Sequence, residues 1–88
     1  MENNKLFVGS LPPDLDSALL RKMFVKFGKI TEAVVVINKQ TEKSKGFGYV
    51  TFQKNKDARN AIKAMDQKEI EGKKMLVTFS KPEPKKYL

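Results

Sequence analysis

The chain is predicted to fold as α+β: a four-stranded antiparallel sheet with two helices packed on one of its faces. Three observations predict it. Two stretches, near 20–27 and 58–65, place apolar residues at helical spacing. Four other stretches are rich in Val, Ile and aromatic residues and alternate between two faces, as strands do. Glycine, proline and polar turns separate these stretches, which follow one another as β-α-β-β-α-β. With right-handed crossovers that order closes into the ferredoxin-like, split βαβ sandwich.

The elements follow in order. Residues 1–4 form a short polar tail, and Lys5–Ser10 the first strand, with Leu6 and Val8 on one face and Phe7 and Gly9 on the other. Leu11-Pro12-Pro13-Asp14 is a turn whose prolines stop the strand. Asp16 is a helix N-cap, because its carboxylate can accept from the unpaired amides of a first turn. Leu20, Met23, Phe24 and Phe27 form the buried stripe of that helix, and Gly28 is expected to end it at positive φ. Lys29–Ile37 reads as the second strand, with Ala33 and Val35 inward and Val34 and Val36 outward. Asn38–Ser44 reads as a hairpin loop carrying Lys39 and Lys43. Residues 45–52 are the third strand. Asn55 is the candidate cap of a second helix, whose buried face is Ala58, Ala61, Ile62 and Met65 and whose wet side is Lys56, Arg59 and Lys63. After Gly72 a single last strand is expected over Lys73–Lys81, with Met75, Val77 and Phe79 inward and Leu76 outward. Phe24, Phe27, Phe52 and Phe79 all fall on inward stripes.

The third strand carries the chemistry. It reads Lys45-Gly46-Phe47-Gly48-Tyr49-Val50-Thr51-Phe52. Alternation puts Lys45, Phe47, Tyr49 and Thr51 on one face and Gly46, Gly48, Val50 and Phe52 on the other. One face is core. The other holds two aromatic rings and a cation in the open, an arrangement suited to stacking unpaired bases.

These residues fill every specified position of an octamer written Lys/Arg-Gly-Phe/Tyr-Gly/Ala-Phe/Tyr-Val-x-Phe/Tyr, for which chance gives on the order of one window in a million. With the hexamer Leu6-Phe7-Val8-Gly9-Ser10-Leu11, the chain resembles the RNA recognition motif domain over roughly residues 5–81. Within that family it is most like single-domain glycine-rich RNA-binding proteins, though without their glycine-rich tail. Two positions depart from the family pattern. Ser10 stands where Asn is usual, and Met65-Asp66-Gln67 where Leu-Asn-Gly is usual. At the second, either Asp66 takes the positive φ of the missing glycine, or Gln67 takes it at roughly 1 kcal/mol, or the turn differs.

The resemblance implies that the first and third strands lie side by side at the centre of the sheet, bringing Phe7 next to Phe47 and Tyr49. It implies single-stranded RNA as the partner, with single-stranded DNA the near alternative. The expected contacts are Phe7, Phe47 and Tyr49 for bases, and Lys5, Lys39, Lys43, Lys45 and Lys81 for phosphates. Gly9 leaves room beside Phe7, and Gly48 lets a helix approach the back of the sheet. The segment 82–88, with Lys85, Lys86 and Tyr87, is expected to be a basic tail or linker.

Composition agrees and narrows the field. An 88-residue chain supports one domain. Eighteen Lys and Arg against ten Asp and Glu give a net charge of +8, which attracts polyanions. There is no Cys and no His, so disulfides, thiolate metal sites and the commonest general base are missing. Small phosphatases share this arrangement, but an acyl phosphatase would need an arginine after the first strand, and 11–15 contain none. No reaction, cofactor, metal site or membrane association is expected. A monomer is expected, acting in RNA processing or regulation, in the nucleus or the cytoplasm rather than secreted. A peptide-binding role alone fits poorly with three retained rings and a first helix that is not acidic; a protein contact in addition to RNA remains compatible with the sequence.

Overall fold

The computed structural model describes residues 4–80. Lys81, Lys85, Lys86 and Tyr87, named above as candidate contacts or tail, lie outside the described residues. The elements are β1 (Lys5–Gly9), α1 (Ser17–Phe24) with a 3₁₀ turn over Val25–Phe27, β2 (Ile30–Asn38), β3 (Lys43–Phe52), α2 (Asn55–Met65), β4 (Glu69–Ile70), β5 (Lys73–Lys74) and β6 (Leu76–Phe79). The four-stranded sheet runs β2-β3-β1-β6, all neighbours antiparallel, while β4 and β5 make a separate small hairpin. β1 and β3 are thus the central pair, as the resemblance implies.

The core is the layer between the sheet and the helices. Leu6 and Val8 from β1, Val35 from β2, Val50 and Phe52 from β3 and Val77 from β6 are buried on the inner face. Leu20 and Phe24 of α1 and Ala58, Ala61 and Met65 of α2 close over them, with Met23, Phe27, Ile62 and Phe79 packed at the margin. Alanines at 58 and 61 keep the contacting face of α2 small, which suits a close helix-on-sheet approach. Asp16 caps α1 as expected, its carboxylate accepting from the Leu19 amide at 2.9 Å. Next to it, the Ser17 hydroxyl oxygen accepts from the Val35 amide at 2.8 Å, which ties the start of α1 to the edge strand β2.

Gly28 ends the first helical segment at positive φ, as expected, with φ 156°. A Cβ there would also run into the Asp57 carboxyl group, so backbone conformation and close packing against α2 both exclude a side chain. Several other expectations need correction. Asn55 is not the cap of α2 but its first residue. Lys54 occupies the cap position with extended backbone, and Asp57 supplies the negative charge that favours a helix start. The hairpin loop is shorter than 38–44, since Asn38 and Lys43 are paired residues of β2 and β3. The Asn38 Oδ1 accepts from the amides of Gln40 and Thr41 at 2.8 and 3.2 Å, a side-chain turn that holds the loop closed.

The expected single last strand is broken at Met75. Its amide donates to the Lys68 carbonyl at 2.9 Å and its carbonyl accepts from the Gln67 amide at 2.7 Å, so Met75 pairs with the segment after α2 rather than with β1. Lys73 and Lys74 turn back on Glu69 and Ile70 through Glu71 (φ 51°) and Gly72 (φ 84°), a two-residue turn with both central φ values positive. The turn before it resolves the departure at 65–67: Gln67 itself takes the positive φ, at 70°. Asp66 instead accepts from the Val77 amide at 2.9 Å, pinning the end of α2 to β6.

Candidate nucleic-acid interface

Among the described residues no helix lies over the outer face of the sheet, and that face carries the three rings. The register sets Phe7 directly across from Tyr49 and Gly9 across from Phe47. Phe7 and Phe47 are stacked at 5.6 Å between centroids with 30° between planes. Tyr49 meets both edge-on, at 5.9 Å from Phe7 and 6.2 Å from Phe47. All three are half-buried. Edge-on and offset contacts of this kind suit aromatic quadrupoles and hold the rings in one orientation without a covering layer.

Gly9 is part of the device, as expected. A Cβ on Gly9 would come within 2.8 Å of Phe7 Cε2, so the bare glycine is where the Phe7 ring leans toward Phe47. Gly48 gives α1 room, as expected, and gives the neighbouring strand room as well. Its nearest obstacle is the Val34 carbonyl of the neighbouring strand, with Leu20 of α1 a further 3.1 Å contact, so it admits strand β2 as much as a helix.

The expected phosphate contacts are spread widely. Lys5 lies on the platform, its Nζ 4.7 Å from the Tyr49 ring centroid, a cation–π distance. Lys45 is exposed two residues before Phe47, beyond an irregularity in which Gly46 takes φ 86° and the β2–β3 register shifts between Val35 and Ile37. The Gly46 carbonyl there accepts from the Leu11 amide at 2.9 Å, joining the end of β3 to the loop after β1. Lys39 and Lys43 are exposed at the hairpin, apart from the rings. Lys81 is outside the described residues. Thr51 shares the platform face at its far end, opposite Lys5.

The platform is wider than three rings. Val34 of β2 sits across from Tyr49 and Thr78 of β6 across from Phe7, making one row; Phe47, Gly9 and Leu76 make the next. Val34 and Leu76 were anticipated as outward, and both are exposed. Thr78 and Ile37, also exposed, were not singled out, although the alternation Met75-Leu76-Val77-Thr78 already implied the first. Ser10, the departure from the family hexamer, has φ 58°, a left-handed conformation that Asn tolerates better than most residues.

Among the described residues, no group of acidic, Cys or His side chains is arranged to hold a metal ion, and no helix is long and apolar enough to cross a membrane.

Comparison with known proteins places the architecture. Residues 6–76 match the model of the RNA recognition motif family, and the chain belongs to that family. It is 42% identical over 78 residues to the glycine-rich RNA-binding protein 4, mitochondrial, of Arabidopsis thaliana, covering 89% of this chain and 57% of that protein. It is 46% identical over 70 residues to the small ribosomal subunit protein mS86 of the same plant, covering 80% of this chain and 45% of that one. The chain therefore spans about half the length of these relatives. Among solved structures, a Sxl-lethal protein–RNA complex superposes with a TM-score of 0.89 at 26% identity, over 94% of this chain and 50% of that one. The RNA-binding protein PG1 superposes with a TM-score of 0.85 at 30% identity, over 92% and 98% of the two chains.

Proposed function

We propose that this domain binds single-stranded RNA by stacking two or three bases on Phe7, Phe47 and Tyr49, and that it serves in RNA processing or regulation. The observation that carries the reading is the ring cluster. Three aromatic side chains, one of them some 40 positions distant in the chain, meet within 6.2 Å of one another on a sheet face that no described element covers. Each offers a π face, and stacking is worth about 1–3 kcal/mol per base without demanding a particular base. Lys5 adds positive charge beside Tyr49, and the Tyr49 hydroxyl adds a hydrogen-bonding group. Base preference would arise at the platform margins, Val34 on one side and Leu76 and Thr78 on the other. Membership of an RNA-binding family, and relatives named as RNA-binding proteins, support the ligand class. Binding is the whole of the proposed chemistry.

The test is a titration of a short unstructured RNA, with the matching DNA as a second arm, at fixed salt. Phe7→Ala and Phe47→Ala should each weaken RNA binding by about 1–3 kcal/mol, roughly 5- to 150-fold in Kd. Thermal melts should show both variants folded. Unchanged affinity in both would remove the sheet face as the site, and equal affinity for DNA would assign the ligand to single strands in general.

A further inference from the structure

The positive charge and the stacking rings lie on different layers of the molecule. From Asp14 to Lys29, α1 and its flanks carry Arg21, Lys22, Lys26 and Lys29 against Asp14 and the capping Asp16. From Lys54 to Lys68, α2 and its flanks carry five cations against Asp57 and Asp66. Asp66 accepts from the Val77 amide, and Asp57, one residue from Lys56, lies against Gly28. The strands and hairpins between Lys5 and Phe79, by contrast, carry six lysines against four glutamates. Most of the net charge therefore sits on the helical layer, behind the rings.

Its densest part is a corner. The Gln53 amide donates to the Lys29 carbonyl at 2.9 Å, which sets the segment before β2 beside the segment after β3. Lys29 and Lys54 flank that bond in the chain, Lys26 and Lys56 lie two or three residues further along, and all four are exposed. The corner also has a definite position relative to the platform. Ile30 is in register with Phe52, and Lys5 with Thr51, so Lys29 and Lys54 stand just past the end of the sheet reached by passing from Phe47 over Tyr49 to Lys5. Two carboxylates adjoin the corner: Glu32, exposed and in register with Thr51, lies on that route, and Asp57, next to Lys56 and against Gly28, lies at the corner itself.

We propose that Lys26, Lys29, Lys54 and Lys56 form a second contact for the phosphate backbone of the same RNA strand, met where it leaves the rings past Tyr49 and Lys5. The proposal goes beyond base stacking and rests on the sheet face holding the strand. Lysine-rich surface is poor material for the centre of a protein interface, where lysine is depleted, and of the exposed large apolar side chains only Val25 adjoins these four in the chain. It is good material for phosphates, which reward point charges through counterion release. Stacking on the rings takes two or three nucleotides, so a short strand fills the platform and only a longer one also reaches the corner.

The experiment compares an oligouridylate of about 5 nucleotides with one of about 20, titrated between roughly 50 and 200 mM salt. The protein is wild type, a Lys29→Gln/Lys54→Gln/Lys56→Gln variant, a control Lys68→Gln/Lys73→Gln/Lys74→Gln variant with the same charge loss elsewhere, and Phe47→Ala. The corner variant should bind the short RNA like wild type. On the long RNA it should lose about tenfold at ~0.1 M salt, with the slope of log K against log salt shallower by about 2, since each single-strand phosphate contact contributes about 0.7. The control variant should change that slope by less than half as much. An unchanged long-RNA slope in the corner variant overturns the proposal, and so does an equal effect from the control, which would mean a general field and no site. Equal losses on short and long RNA also overturn it. Phe47→Ala separates the two readings: it should weaken both lengths, and if it weakens neither, base stacking fails whatever the corner does.

Discussion

Strand β3 has two faces built from similar residues and put to opposite uses. On one, Val50 and Phe52 are at most 1% exposed, sealed between the sheet and α1 and α2. On the other, Phe47 and Tyr49 are half-buried, touching Phe7 and each other with no layer above them among the described residues. Both faces carry aromatic rings. What differs is what covers them. The phenyl rings of Phe52 and Phe47, five positions apart, should therefore report on different properties, one on folding and the other on binding.

Phe52→Ala should produce the largest effect of all. Emptying a fully buried ring position costs about 3–5 kcal/mol, read as a large fall in melting temperature, with RNA affinity of the folded fraction preserved. A small loss of stability there would break the comparison. On the open face, Phe47→Ala should reverse the pattern, with the binding loss given above and a melting temperature within a few degrees of wild type.

Gly9→Ala sharpens the contrast. The new methyl group meets the far end of the Phe7 ring, 2.8 Å away, and little else, with Leu76 Cβ at 3.7 Å. The ring can swing aside, so stability should change by about 1 kcal/mol or less while RNA binding falls by part of the Phe7→Ala loss. Stability loss without binding loss would mean that the position of the ring is irrelevant to the ligand. The smallest effect should come from outside both faces. Gln67→Gly relieves a non-glycine residue at φ 70° and should raise stability by up to about 1 kcal/mol, with RNA binding unchanged.

Local chemistry explains which parts of this structure were readable beforehand. The Asp16 cap, the Leu20–Phe24 stripe and the alternation through β3 depend on neighbours within one turn or one strand, and sequence patterns express them directly. The meeting of Phe7 with Phe47 and Tyr49 does not. No local pattern pairs β1 with β3, and that adjacency was available through family resemblance alone. Other features depended on tertiary partners. Met75 leaves the last strand because the carbonyl of Lys68 and the amide of Gln67 are within reach once α2 has packed. Lys5 was named as a contact without its place, since only the register with Thr51 and Tyr49 sets it over a ring. Charge was counted correctly but its segregation onto the helical layer became visible only when the elements were stacked.

The most direct test follows the ring protons of the protein by NMR while a short uridine-rich RNA is added. Bases stacked on the sheet must shift the signals of Phe7, Phe47 and Tyr49 through their ring currents, with those of Phe24 and Phe52 nearly still. Saturable RNA binding that leaves the three platform rings unmoved would contradict the account.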